Sequence, residues 1–140
     1  MNRIWREDGA ALVEFALTSV VLFMTLFGLM AVCTALYSSV FVAEAAREAS
    51  RYAIVRGSAC TGFADCSITS AQLNTYVQNL HYPGINSANL SASASWAGGK
   101  APGQIVVVTV TYNLPLAIPF WPKSGSTIHM GSTSQMAISQ

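Results

Sequence analysis

The sequence predicts an α+β fold in which one long apolar helix carries a small head, and three observations predict it. No charged side chain occurs between Phe15 and Ala43, and about 20 apolar residues suffice to cross about 30 Å of hydrocarbon. From Ala10 to about Ile54 there is no proline, and Gly28 is the one interior glycine, so nothing breaks a helix there. Beyond Pro83-Gly84, the apolar positions alternate in three separate stretches, the period of half-buried strands. The composition agrees: 52% hydrophobic and 9% charged residues, with a net charge of +1. With no run of Lys and Arg to neutralise phosphates, a nucleic-acid footprint is excluded. The 140 residues leave about 85 beyond the long helix, enough for one small core.

The first element is the long helix, 10–54, with a span over about 12–36. A continuous helix of that length measures about 65 Å, twice the hydrocarbon thickness, so its second half must leave the bilayer. There the pattern becomes amphipathic. Glu44, Arg47, Glu48 and Arg51 share one face, and the Glu44–Arg47 and Glu48–Arg51 spacings suit ion pairs worth a few tenths of a kcal/mol. Val42, Ala45, Ala46, Ala49, Tyr52 and Ala53 make the other face, whose alanines permit close approach of a sheet. Arg56-Gly57-Ser58 ends the helix, with Gly57 suited to a left-handed cap. Gly28 has no small residue at the GxxxG spacing and reads as a tolerated glycine. Cys33, inside the span, reads as a small buried hydrophobe.

The head follows over 55–140. Cys60 and Cys66 sit close together in a polar loop, as a disulfide in an oxidising compartment or as two free thiols. Ser67 to Tyr82 predicts a short helix capped by Thr69 or Ser70, with Leu73, Tyr76, Val77 and Leu80 as its apolar stripe. Pro83-Gly84 stops it. Three strands are predicted: Asn89 to Trp96, Gln104 to Leu114 and Thr127 to Ser139. In the second, Val106, Val108, Val110 and Tyr112 lie on one side; in the third, Ile128, Met130, Met136 and Ile138 do. The segment LPLAIPFWP between these two is too rich in proline for a strand interior. Its Pro119, Phe120, Trp121 and Pro122 form an aromatic corner that either lids the core or meets a partner or the membrane interface. These elements predict an antiparallel sheet of about three strands packed on the alanine face of the long helix.

Chemistry is sparse. His81 and His129 are far apart and no second close cysteine pair exists, so no metal site is expected. The two histidines and Asp65 form no set with a base at useful spacing, and no Gly-rich phosphate loop follows a strand. We expect no cofactor, no small-molecule substrate and no enzymatic activity.

The residue that demands an account is Glu14, at the mouth of the span, because a carboxylate at the bilayer centre costs on the order of 2.5–3.5 kcal/mol. The preceding leader, MNRIWREDG, carries Arg3 and Arg6. A secretory signal has an apolar core of about 7–15 residues, and this one is roughly twice as long. A break after Gly9 would instead place Glu14 five residues into a chain beginning at Ala10. Glycine, four residues, then Glu and an aromatic resembles the processing motif of type IV pilin-like proteins. The run GAALVEFAL closely resembles the start of TadE-like minor pilins, or pseudopilins, of the tight-adherence (Tad) pilus system. The likeness continues at AAREASRYAIVRGS (Ala45 to Ser58) and GQIVVVTVTYNLPLAIPF (Gly103 to Phe120). Phe15 stands where that pattern often has Tyr.

The resemblance implies a leader, 1–9, removed by a prepilin peptidase that needs a small side chain at Gly9. It implies that the Glu14 carboxylate meets the new Ala10 amine of a neighbouring subunit as helices assemble. The residue-level alternative is an interfacial acid capping the helix N-terminus. The implied partners are the peptidase, other pilins or pseudopilins, the Tad secretion platform and membrane lipid. The implied location is the bacterial inner membrane, N-terminus cytoplasmic and head periplasmic, and after assembly a pilus outside the cell. The alternative function is an uncleaved single-pass inner-membrane protein with a small periplasmic binding domain. Charge counting leaves the orientation open, since Arg47, Arg51 and Arg56 balance Arg3 and Arg6.

Overall fold

The computed structural model describes residues 4–115 and 127–139, with side chains from Gly9 onward. Arg3, the side chain of Arg6 and the expected corner at Pro119, Phe120, Trp121 and Pro122 lie outside the described residues. Helix α1 (Ile4–Ile54) is a single helix of 51 residues, about 76 Å at 1.5 Å per residue. Its character changes along its length. Residues from Leu12 to Leu36 stand bare, Leu12 and Phe15 about 70% exposed. From Ser38 onward one face is buried, with Ala45, Ala46 and Ala49 fully covered.

What covers that face is a three-stranded antiparallel sheet in the order β1-β2-β3, built from β1 (Leu90–Trp96), β2 (Ile105–Pro115) and β3 (Thr127–Ala137). The register pairs Val108 with Ala94 on one side and Ser134 on the other. The alternation in β2 acts as the period of two requires: Val106, Val108, Val110 and Tyr112 face α1 and are at most 2% exposed. Each such valine contributes roughly 1.5–3 kcal/mol by leaving water. Alanines on α1 let the helix sit close to these branched side chains, while Ser50 Oγ and Ser134 Oγ share a hydrogen bond of 2.9 Å across the contact.

Helix α2 (Ser70–Gln78) is shorter than the sequence predicts. Thr69 is its N-cap in a capping box with Gln72, which satisfies two orphan N–H groups. Ser67 and His81 both take left-handed conformations, with φ of 56° and 40°, so helical periodicity cannot run through them. The reason is tertiary. Ile68, before the cap, must turn into the core, where it is 1% exposed beside Leu73 and Val77. The Pro83-Gly84 stop is a turn closed by the Ile85 N–H on the Tyr82 carbonyl at 3.2 Å. Proline leads, and Gly84 takes the φ of 77° that a side chain would resist.

The end of α1 also differs from expectation. Gly57 is buried and is not among the left-handed glycines. The last carbonyls are met instead by other groups, as four orphan acceptors require. Arg56 Nη1 donates to the Tyr52 carbonyl at 3.3 Å, and the Ser139 N–H and hydroxyl donate to the Ile54 carbonyl at 3.0 and 3.2 Å. Ser139, just beyond β3, therefore seals the end of the first helix, and β3 runs in the same direction as α1.

Candidate functional site

The bare part of α1 is a surface of Leu, Val, Phe and Met on every side, and its few polar groups are handled within the helix. Thr18 Oγ1 donates to the Glu14 and Phe15 carbonyls at 3.0 and 2.9 Å. Thr25 turns back to Leu22, Thr34 to Met30 and Ala31, and Ser39 to Leu36. Hydroxyls satisfied by their own helix can enter hydrocarbon without an unpaired donor. The segment is long and apolar enough to cross a membrane. Cys33 is exposed on this surface, a correction to its reading as buried, because the head does not reach down the helix that far. A methyl group added at Gly28 would meet nothing within 4 Å beyond its own turn of helix among the described residues.

Glu14 interrupts this surface. Its side chain is exposed, and among the described residues the carboxylate has neither a hydrogen bond nor an ion pair. Gly9, Ala10 and Phe15 are likewise exposed. Because α1 begins at Ile4, Glu14 lies inside the helix of the full chain, which corrects its reading as an N-terminal cap. Ala10 and Glu14 are four residues apart and share a helix face, separated by about 6 Å of rise.

The head grips α1 first at Tyr37, whose hydroxyl donates to the Pro83 carbonyl at 3.0 Å. One turn on, the rings of Phe41 and Tyr82 pack at 4.5 Å. Above this neck the charged face of α1 pairs only in part. Glu44 and Arg47 form an ion pair at 3.2 Å, worth little at such exposure. The expected Glu48–Arg51 pair is replaced: Glu48 accepts a hydrogen bond from the Tyr76 hydroxyl at 3.3 Å. Burial raises the Tyr76 pKa above its ordinary value, and the neighbouring Glu48 charge and its hydrogen bond raise it further.

Two side chains that the sequence did not single out organise the far end of the head. Arg56 lies 3.6 Å from the Tyr52 ring centre and 4.8 Å from that of Phe63, and Tyr52 stacks on Tyr76 at 3.9 Å. The i, i+4 spacing of Tyr52 and Arg56 was a visible signal; their partners on other segments were not. Lys100 Nζ donates to the Ile68 and Ser67 carbonyls at 2.6 and 3.0 Å, and its own carbonyl accepts from the Ser58 N–H at 2.8 Å. Between these contacts runs the loop closed by the Cys60–Cys66 disulfide.

Against this geometry stands one comparison. Residues 9–51 match the family model described as TadE-like protein. Over these residues the chain is similar to TadE-like proteins. The match begins at Gly9 and ends at Arg51, so it spans the bare surface and most of the alanine face and stops short of the sheet. No curated protein and no solved structure matches the chain. A helix this long, bare and apolar fits a membrane-anchored protein.

Proposed function

We propose that this chain is a pseudopilin or minor pilin of a Tad-type adhesive pilus, a subunit or assembly factor rather than an enzyme. A prepilin peptidase cleaves after Gly9, and α1 then serves as membrane anchor and as spine for packing against other pilins or pseudopilins. The N-terminus lies in the cytoplasm and the head in the periplasm. The observation that carries this reading is the division of α1. One helix is bare and apolar from Leu12 to Leu36, wedged into a folded head over its last part, and carries at Glu14 an acid without a partner among the described residues. Such an acid finds its counter-charge in the Ala10 amine that cleavage creates on a neighbour; an opposite pair costs less in lipid than a single charge.

Gly9 is helical and exposed, and a peptidase must draw its peptide bond out of the helix. Glycine lowers that cost by about 1 kcal/mol relative to alanine. The same unbroken helix favours the second reading, an uncleaved anchor bearing a small binding domain. Intact mass of the membrane-extracted protein separates the two. Loss of residues 1–9, abolished in Gly9→Leu, supports the pilin reading; a chain that retains its leader supports the anchor.

A further inference from the structure

The two edges of the sheet are treated differently. On the β1 edge, the Ala92 N–H donates to Asn74 Oδ1 at 2.8 Å and the Ala94 N–H to Ser70 Oγ at 3.1 Å. The Leu90 carbonyl there accepts from Gln78 Nε2 at 3.2 Å. Three polar side chains of α2 thus occupy the groups through which another strand would pair. The β3 edge has no such cover among the described residues. The Ile138 N–H donates to the Gln104 carbonyl at 2.8 Å, which sets the phase of the antiparallel ladder. Even-numbered residues of β3 bond to β2, and odd-numbered ones from Thr127 to Ala137 turn their N–H and C=O outward.

Natural sheets blunt a free edge with Lys, Pro, a bulge or shortness. Here β3 is 11 residues long, carries no Lys, Arg, Asp, Glu or Pro, and pairs in unbroken register with β2. Its inner row is also unfinished. The α1-facing residues of β2 are fully buried, whereas Met130, Ser132, Ser134 and Met136 are only half-buried and Ile128 is 37% exposed. The open side of that row is the side on which an added strand would lie. The edge runs alongside α1 and leads at its Thr127 end towards the bare helix, so it is continuous with the surface proposed above for assembly.

We propose that the outer edge of β3 is a strand-addition site for an extended, uncharged segment of a different chain in the assembly. The apolar residues of that segment, at every second place, close over Met130 and Met136, and its backbone pairs with the odd-numbered residues. A second copy is excluded by direction, and this step rests on the anchored orientation under the proposed function. Because β3 runs with α1, two copies in one membrane present parallel β3 strands, and antiparallel pairing would reverse one anchor. A two-fold axis along the strands would set each outward N–H against its own counterpart, and the β1 edge of a second copy is already occupied.

The test uses the full chain in lipid nanodiscs and, as probe, a synthetic peptide of residues 127–137 with a lysine at each end. The peptide has the required alternation and, without an anchor, is free to pair antiparallel. Hydrogen exchange read at single amides should show at least tenfold slowing at odd-numbered β3 positions on adding peptide, with Ala92 and Ala94 unchanged. Thr133→Pro removes an outward N–H that the fold does not use and should weaken peptide binding at least tenfold. The T133K/Q135K variant, which keeps every backbone group, should do the same. Protection on β1, equal binding by both variants, no protection at β3, or a peptide-free dimer with its odd-numbered amides already slow would each overturn the proposal. Normal cleavage after Gly9 alongside any of these results leaves the pilin reading standing. Retention of the leader alongside normal peptide binding removes that reading and keeps the edge.

Discussion

Glu14 has no hydrogen bond or ion pair among the described residues, so its removal should be silent in the monomer and costly in assembly. In Glu14→Gln, the thermal midpoint of the head and the loss of residues 1–9 should be unchanged. Incorporation into sheared filaments, read by quantitative immunoblot, should fall more than tenfold, because the amide leaves the partner amine in lipid without a counter-charge. Full incorporation would return Glu14 to a merely interfacial acid. Tyr76 supplies the second residue-scale expectation. Its phenol is held neutral first by burial, then by the Glu48 charge and the hydrogen bond it donates there. The unfolded tyrosine ionises near pH 10, and the folded pKa lies above this. The contribution is therefore fully present below about pH 10 and lost as pH rises through the folded value. Thermal melts of the wild type should fall through that alkaline window more steeply than those of Tyr76→Phe, and parallel curves would sink the assignment.

At the scale of elements, the contact between α1 and the sheet depends on small side chains. Ala49 is 0% exposed beneath the sheet, so Ala49→Leu should overpack and destabilise the head by about 1–3 kcal/mol, measured by denaturant midpoint in detergent. A change on the bare surface, such as Val40→Ala, should leave that midpoint in place. This contact was legible in the sequence because two local periods predicted it: alanines three and four apart on the helix, and apolar residues two apart on β2. The same holds for Thr69, whose cap needs only Gln72 three places on, and whose replacement by Ala should cost about 1 kcal/mol. What escaped were features decided by residues distant in the chain. Ile68 entering the core shortened α2, Tyr76 took Glu48 from Arg51, and Arg56 and Ser139 made a left-handed Gly57 unnecessary. No window of neighbouring residues contains those pairs. The candidate site divides in the same way. The exposed helix and its acid were visible in composition alone, but the open β3 edge required knowing which strand α2 covers.

Across the whole molecule, stability is divided between two solvents. The bare part of α1 carries its own hydrogen bonds and needs only lipid, while the head must hold together in water on a small core. At the end of the head remote from the anchor, three devices gather. Lys100 bridges the β1–β2 connection to Ser67 and Ile68, Ser139 seals the Ile54 carbonyl, and Cys60–Cys66 closes the loop between them. In the chain-entropy description a loop this short restrains the unfolded chain by about 2 kcal/mol. That is a large share of what a head of this size commands. Reduction with dithiothreitol, or the Cys60→Ser/Cys66→Ser variant, should therefore lower the melting temperature of the head by several degrees, followed by circular dichroism in nanodiscs. The sheet signal should disappear at the lower temperature while much of the helical signal persists, because the lipid-embedded turns have no tertiary contact to lose. A single transition that removes helix and sheet together would mean that α1 depends on the head along its whole length, and an unshifted midpoint would mean that Lys100 and Ser139 hold the far end without the disulfide.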